Sequence, residues 1–322
     1  RWPAGFAPLA RLCCGRRPPP PDLLPGVRDP GPHPMLFPMY VVPMAELRKM
    51  RELEPHQVLK ARGALRVYAP GMGPALFVSH QWCGLDHPDP DAGQFGVFLA
   101  ALEGLLNGSA TVDQDVLGKS LGGATYSRKE LATRLRSAYV WYDYASIPQI
   151  KARTSAEDVV PQEVALAVDS IPAYVQACGF FVVLAPTLPH RDHAGVVLSL
   201  ASWQRRGWCR LEQAARALTP GDDRILVVTT PGSWVVCTTE PLTLGAPQTG
   251  DFAVEADRAR IAPIMARMLD RKLAGLLAAA QLPQCRQLLA RRDAICGARR
   301  EGPAGAAPGL QTPPGGAHAP GG

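Results

Sequence analysis

The amino-acid sequence predicts an α/β fold in which helices cover both faces of an open, mostly parallel sheet, with further helices at the C-terminal end. Three observations support this prediction. Strand-like and helix-like segments alternate from residue 64 onward, each strand-like segment is a nearly continuous apolar run, and the pattern changes to helices alone after residue 250. Continuous apolar runs are typical of parallel strands, because helices cover such strands on both faces.

The predicted elements alternate along the chain. Two short β-like runs, "ALRVYAP" and "ALFVSHQW", are separated by a proline- and glycine-containing turn. After a helix over 94–106 come the strand "AYVWYDY" and a helix over 161–178, which Pro172 should kink or split. The strand "GFFVVLAP", the helix "RGWCRLEQAARAL" and the strand "DRILVVTT" complete the unit, and helices over 254–280 and 283–296 follow.

Segments of different composition are expected to have different structures. The two ends carry too few apolar side chains to offset the entropy of ordering, so both are expected to be disordered. One polar, glycine-rich stretch interrupts the strand–helix pattern and indicates an insertion. The predicted segments are a Pro/Arg-rich region at 1–34, an N-terminal helical extension at 35–63, the α/β domain at 64–250 with an insertion at 107–138, C-terminal helices at 251–297 and a Gly/Pro/Ala tail at 298–322.

The distribution of charge argues against nucleic acid as a partner. Residues 1–34 and 283–322 each carry a net charge of +3, which accounts for the whole formal charge of +6. The region between them therefore has no excess of basic residues for a polyanion. No apolar run reaches ~18 residues, so no transmembrane helix is expected. The eight cysteines are dispersed, several of them in apolar runs, which indicates free thiols and a reducing, cytoplasmic compartment.

Polar and aromatic side chains are concentrated where the predicted strands end. They are Ser79, His80 and Trp82 after one strand, Asp143 and Tyr144 after the next, and Trp208 and Glu212 on the helix that follows the third. Because ligands of open parallel sheets bind at the carboxyl ends of the strands, we expect these side chains to share one site. Indole rings offer flat surfaces to a planar ligand. A carboxylate beside a sugar can stabilise the positive charge that develops when a glycosidic bond breaks.

Four sequence motifs resemble the successive signatures of the TIR and heterokaryon-incompatibility (HET) domain superfamily. They are "LFVSHQW", "VWYDYASIPQ", "AVDSIPAYVQACGFFVVLAP" and "RGWCRLE", and they fall within residues 75–230. In TIR domains that cleave NAD, the glutamate of the Trp-Cys-x-x-Glu motif is catalytic, and Glu212 occupies that position here. The resemblance implies a TIR/flavodoxin-like fold, a catalytic Glu212, and a substrate-binding set consisting of Ser79, His80, Trp82, Asp143, Tyr144 and Trp208.

The resemblance also implies a function. The domain would be a signalling or cell-death-type module that binds a nicotinamide nucleotide, forms homo-oligomers and, as an NAD hydrolase, cleaves the N-glycosidic bond. NAD would be a substrate, no cofactor would be needed, and Ser79 and Asp143 would hold ribose or phosphate-side groups. The alternative is a non-enzymatic module of the same fold that assembles with itself or other proteins. In that case Glu212 would pair with one of three nearby arginines, Arg206, Arg210 or Arg216.

Histidines and cysteines near the first strand suggest two further chemistries. His80, Cys83 and His87 have a spacing seen among zinc ligands, but no second pair of ligands accompanies them, so no metal site is expected. A hydrolase acting through Cys83 or Cys209, with His80 or His190 as the base, is a third functional hypothesis.

Overall fold

The computed structural model describes residues 29–120, 122–123, 125–150, 161–220, 224–238 and 245–296. The predicted disordered segments, 1–34 and 298–322, lie outside the described residues except for 29–34. The strands of the described residues are β1 (Tyr40–Pro43), β2 (Arg66–Val67), β3 (Ala75–His80), β4 (Thr111–Gln114), β5 (Tyr139–Tyr142), β6 (Phe180–Leu184), β7 (Leu188–Pro189), β8 (Val197–Leu198), β9 (Ile225–Thr230) and β10 (Ser233–Cys237).

Eight of these strands form one mixed sheet in the order β2-β1-β5-β3-β6-β9-β10-β4, and β7 pairs separately with β8. The centre of the sheet is parallel, because β3 pairs with β5 and β6, and β6 pairs with β9, in that sense. Antiparallel pairs occur only toward the two edges, where β1 joins β5 and β2, and where β10 joins β9. The predicted mostly parallel sheet is confirmed.

Helices connect and cover these strands. The helices of the described residues are α1 (Met44–Leu47), α2 (His56–Ala61), α3 (Gly93–Asn107), α4 (Val116–Ser120), α5 (Arg128–Leu135), α6 (Asp143–Ser146), α7 (Pro161–Asp169), α8 (Ile171–Ala177), α9 (Leu200–Trp203), α10 (Gly207–Leu218), α11 (Asp257–Ala278), α12 (Leu282–Ala290) and α13 (Arg292–Cys296). No helix in this part of the chain is long and apolar enough to cross a lipid bilayer.

The sheet has a hydrophobic core on each face. Successive side chains of a strand point to opposite faces, and β3 follows this rule: Leu76 packs in the core that contains Phe95 and Phe98 of α3. Its neighbour Phe77 packs in the other core, which contains Leu211 of α10 and apolar residues of α8 and α11. Both faces of the sheet are therefore covered by helices, as the continuous apolar strands predict.

Two predicted helix boundaries depend on particular residues. The helix expected over 161–178 is divided, because α7 ends at Asp169 and α8 begins at Ile171. Pro172 lies in the first turn of α8, where its missing N–H group costs no intrahelical hydrogen bond. Beyond residue 250, the helix α11 is continuous over 22 residues despite Pro263.

The peripheral strands differ from the predictions. Segment 35–63 contains α1 and α2, but it is more than a helical extension, since β1 pairs with β5 of the main sheet. Segment 107–138 is more than an insertion, since β4 pairs with β10 and α5 buries Leu131 and Leu135. In "ALRVYAP" only Arg66–Val67 is a strand, and both residues are exposed. Edge strands do not need an apolar run, so the continuous apolar pattern that reveals the central strands is absent here.

Candidate functional site

A cleft of about 810 Å³ lies at the carboxyl ends of β3 and β5. The predicted site residues that line it are His80, Trp82, Asp143, Tyr144, Trp208 and Glu212. The remaining predicted residue, Ser79, is buried behind them and is hydrogen-bonded to Glu212. Side chains from the end of β3, from α6 after β5 and from α10 are therefore brought together as the sequence predicts.

Ser79 connects the end of β3 to two helices. Its Oγ donates a hydrogen bond of 2.5 Å to Oε2 of Glu212 on α10. The same oxygen accepts a hydrogen bond of 3.0 Å from Nε1 of Trp203, the last residue of α9. Because an indole nitrogen can only donate, the Ser79 hydroxyl keeps its own proton for the glutamate. Ser79 therefore holds Oε2 of Glu212, and the other carboxyl oxygen is left for a ligand.

The pKa of Glu212 lies well above that of an ordinary glutamate. Burial raises this pKa to about 8, and the nearby carboxylate of Asp143 adds to the increase. The hydrogen bond from Ser79 and the positive charges of His80 and Arg206 oppose it. A carboxyl group in this position is mostly protonated at neutral pH, and a cation placed beside it would favour ionisation.

Asp143 is the centre of a second hydrogen-bond network. Its Oδ1 accepts from Nε2 of His80 at 2.8 Å and from the backbone N–H of Tyr144, while its Oδ2 accepts from Nε1 of Trp82 at 2.8 Å. Burial would raise the pKa of Asp143, but His80 and the hydrogen bonds outweigh burial and lower it. Burial would likewise lower the pKa of His80, but Asp143 raises it. Asp143 thus holds the indole of Trp82 in place, and its role toward ribose or phosphate-side groups of a ligand stays a prediction.

Two indole rings are held at the cleft by carboxylates on different elements. Trp82 is fixed by Asp143 and packs edge-on against Tyr144, with 6.1 Å between the ring centroids. Trp208 donates a hydrogen bond of 3.0 Å from Nε1 to Oδ2 of Asp257, the first residue of α11. Both rings are partly exposed and line the cleft. Each therefore offers an apolar surface to a planar ligand.

The helix α11 contributes lining residues that the sequence analysis missed. Asp257 and Arg260 line the cleft, and Arg260 forms ion pairs with Asp257 at 3.3 Å and with Asp169. An apolar wall is formed by Ile147, Val164, Val168 and Ile171. The helical apolar pattern of 161–178 is the signal that could have indicated this wall, but no local feature of the sequence places α11 beside the site.

No arginine of the described residues forms an ion pair with Glu212. Arg206 lines the cleft without contacting the carboxyl group. Arg210 and Arg216 donate hydrogen bonds to backbone carbonyl groups instead. The pairing expected for the non-enzymatic alternative is therefore absent from this part of the chain, and the carboxyl group of Glu212 faces a cleft.

The thiols near the site are poor nucleophiles. Burial raises the pKa of Cys83 to about 11, and it raises the pKa of Cys209 well above the ordinary value. Both thiols therefore stay protonated at neutral pH, whereas thiolate is the nucleophilic form. Across the ranges that the structure describes, no three His, Cys, Asp or Glu side chains are grouped so as to hold a metal ion.

Comparisons with models of known protein families, with curated proteins and with solved structures find no match. The resemblance to TIR and HET domains therefore stays a prediction from four motifs.

Proposed function

We propose that this chain is a TIR/HET-like signalling or cell-death-type domain that binds a nicotinamide nucleotide in the cleft and cleaves its N-glycosidic bond. One observation carries the proposal. The carboxyl group of Glu212 lies at the carboxyl ends of the parallel central strands, in a cleft with two fixed indole rings, and its hydrogen-bond partner in the described residues is the neutral hydroxyl of Ser79. Because no described side chain forms an ion pair with this carboxyl group, a cationic ligand would stabilise its ionised form.

The chemistry of nicotinamide fits this environment. In NAD the nicotinamide ring is a cationic pyridinium joined through its nitrogen to C1′ of ribose. When that bond breaks, the electron pair goes to the ring nitrogen, nicotinamide leaves as a neutral molecule, and the positive charge moves onto the ribose. Water then attacks C1′ and loses a proton. The carboxylate of Glu212 would stabilise the ribosyl cation, an interaction that is strongest in the transition state.

The other side chains of the cleft would orient the ligand. Trp82 and Trp208 supply surfaces on which a planar ring can stack, and the carboxylates that hold these rings fix their directions. Fixed groups need no reorganisation when the charge moves, which is the condition for electrostatic catalysis. His80 and Asp143 act in this proposal through Trp82 and are positioning residues.

The proposal includes two further parts of the resemblance. We place the protein in the cytoplasm, because the described cysteines are all free thiols, as expected in a reducing compartment. Homo-oligomers belong to the proposal as a property of TIR-like domains. Light scattering of the purified protein over a range of concentrations would measure its oligomeric state.

The test is the consumption of NAD by purified protein, with Glu212→Gln as the variant and Glu103→Gln as the matched control. Glu103 pairs with Arg48 on the surface and does not line the cleft. We expect Glu212→Gln to lower the rate by about 100-fold or more, as for loss of a group that stabilises transition-state charge, and Glu103→Gln to leave it unchanged. Equal rates for the wild type and Glu212→Gln would rule out the catalytic role, and absence of NAD consumption by the wild type would favour the non-enzymatic alternative.

A further inference from the structure

The charged groups of the cleft mostly neutralise one another. His80 pairs with Asp143 at 2.8 Å, and Asp257 pairs with Arg260 at 3.3 Å. Arg206 is different, because its side chain makes no hydrogen bond and no ion pair with any described residue. Glu212 likewise has a neutral partner only. Among the described residues that line the cleft, the carboxyl group of Glu212 and the guanidinium group of Arg206 thus form no ion pair with another side chain.

Arg206 and Glu212 are held apart by the helix on which they lie. Arg206 is the N-cap residue of α10 and Glu212 is six positions further on, which corresponds to ~9 Å along the helix axis. The guanidinium group of Arg206 thus lies at the N-terminal end of α10. The helix dipole also attracts negative charge at this end, so both would attract an anionic group of a ligand. A guanidinium group and a carboxyl group held apart in this way are complementary to a ligand that carries an anion at one end and a cation at the other, because the cation would favour ionisation of the carboxyl group.

We infer that Arg206 binds the phosphate of a phosphorylated nicotinamide nucleotide while Glu212 faces its nicotinamide ribose. The inference rests on the proposed function and makes it more specific. It predicts that the cleft binds phosphorylated nicotinamide nucleotides more tightly than nicotinamide riboside, which lacks the phosphate. Arginine suits this task, because its planar guanidinium group can donate two parallel hydrogen bonds to phosphate oxygens. Of the ribose or phosphate-side groups expected at Ser79 and Asp143, the phosphate is bound by Arg206 in this scheme.

The test compares ligands that differ in one feature. Carbocyclic analogues of nicotinamide mononucleotide and nicotinamide riboside resist cleavage and differ in the phosphate, and ADP-ribose keeps the phosphates but lacks nicotinamide. Dissociation constants are measured by calorimetry for the wild type, Arg206→Gln, Arg206→Lys and Arg205→Gln. Arg205 is the matched control, because it is the neighbouring residue, its side chain is 65% exposed, and it does not line the cleft.

We expect Arg206→Gln to weaken binding of the mononucleotide analogue and of ADP-ribose about tenfold, the effect of one charge-assisted contact. Arg206→Lys should retain most of the affinity, Arg206→Gln should weaken binding of the riboside analogue much less than binding of the phosphorylated ligands, and Arg205→Gln should behave as wild type. Unchanged affinity of Arg206→Gln for the phosphorylated ligands, or an equal loss for the riboside analogue, would overturn the inference.

The same experiment separates this inference from the proposed function. If the mononucleotide and riboside analogues bind equally well and NAD is cleaved, the phosphate site is wrong and the function stands. If ADP-ribose binds through Arg206 but neither nicotinamide compound binds, the phosphate site stands and the function is wrong. Failure of every ligand to bind the wild type would overturn both.

Discussion

The hydroxyl group of Ser79 donates a 2.5 Å hydrogen bond to Oε2 of Glu212 and so joins the end of β3 to α10. This bond favours the ionised carboxylate, whereas burial favours the protonated form. The balance of the two effects determines the pH at which Glu212 acquires its charge. A substitution of Ser79 should change that balance while Glu212 itself stays unchanged.

Substitution of Ser79 by alanine should shift the pH dependence of NAD cleavage. Without the hydroxyl, the pKa of Glu212 should rise further above its value of about 8. If the ionised carboxylate stabilises the ribosyl cation, kcat/KM of the wild type should increase with pH and level off above the pKa of the free enzyme. In Ser79→Ala the midpoint should move to higher pH, whereas the exposed Ser109→Ala should keep it. An unchanged or lower midpoint would contradict this account.

The stability of the protein should depend on pH through the same glutamate. The pKa is about 8 in the folded protein and 4.5 without a shift, so the folded state retains a proton that the unfolded state loses between these values. The free energy of unfolding contributed by Glu212 therefore decreases as pH rises from 4.5 to 8 and stays constant above. Glu212→Gln should gain stability relative to the wild type over this range, by at most ~5 kcal/mol.

Urea unfolding of both proteins at several pH values measures this difference. Glu103→Gln provides the control, because Glu103 is an exposed partner of Arg48 and should alter stability little at any pH. A stability difference between Glu212→Gln and the wild type that does not grow with pH would show that the carboxyl group is not held in its protonated form.

The central part of the fold could be predicted because its strands are buried on both faces. The strands β3, β5, β6 and β9 are apolar throughout most of their length, which is a local property of the sequence. The edge strand β4 alternates between exposed and partly buried residues and includes Asp113. Its place in the sheet depends on pairing with β10, more than 100 residues away in the chain, and pairing of that kind leaves no local signal.

The site residues could be predicted for a topological reason. Parallel strands connected by helices place their carboxyl ends at one edge, so Ser79, Asp143 and Glu212 had to be neighbours once the strands were recognised. The contribution of Asp257 and Arg260 follows instead from the packing of α11 against α10. A helix that follows the last strand can pack at several positions on the surface of the α/β unit. The apolar face of α11 does not specify which of these positions it occupies.

Asp143→Asn should destabilise the protein and disorder the indole of Trp82. The substitution replaces a carboxylate that accepts hydrogen bonds from His80 and Trp82. Since the side chain of Asp143 is 30% exposed, we expect a loss of ~1–3 kcal/mol in the free energy of unfolding, less than for a fully buried ion pair. The exposed Asp113→Asn should have little effect.

The pH dependence of this loss follows from the directions of the two pKa shifts. The pKa of His80 is raised, so its stabilisation is present below the unfolded pKa of 6.5 and is lost as pH rises through the folded value. The pKa of Asp143 is lowered, so its stabilisation is present above 3.8 and is lost as pH falls through the folded value. The difference between the wild type and Asp143→Asn should therefore be largest between these limits. A difference that is constant with pH would indicate that the pair is not ionic.

Gly207→Ala should displace the start of α10, because the added Cβ would overlap the ring of Phe252. The two segments are also joined by hydrogen bonds, from the backbone N–H of Gly207 to Asp251 and from Asp251 to Arg205. We expect ~1–3 kcal/mol of destabilisation, as for overpacking of a close contact. Gly275→Ala in α11 is the control, because the added Cβ would have no neighbouring atom within 4 Å. Alanine at this position should be neutral or stabilising.

A double variant distinguishes overpacking from any other effect of Gly207→Ala. Phe252→Leu removes part of the ring that the new Cβ would meet, so Gly207→Ala should cost less in that background than in the wild type, with a coupling energy that chemical denaturation measures. Because Arg206 and Trp208 flank Gly207, the affinity for ADP-ribose should decrease in Gly207→Ala and recover in the double variant. Additive effects of the two substitutions would mean that the contact with Phe252 does not determine where α10 begins.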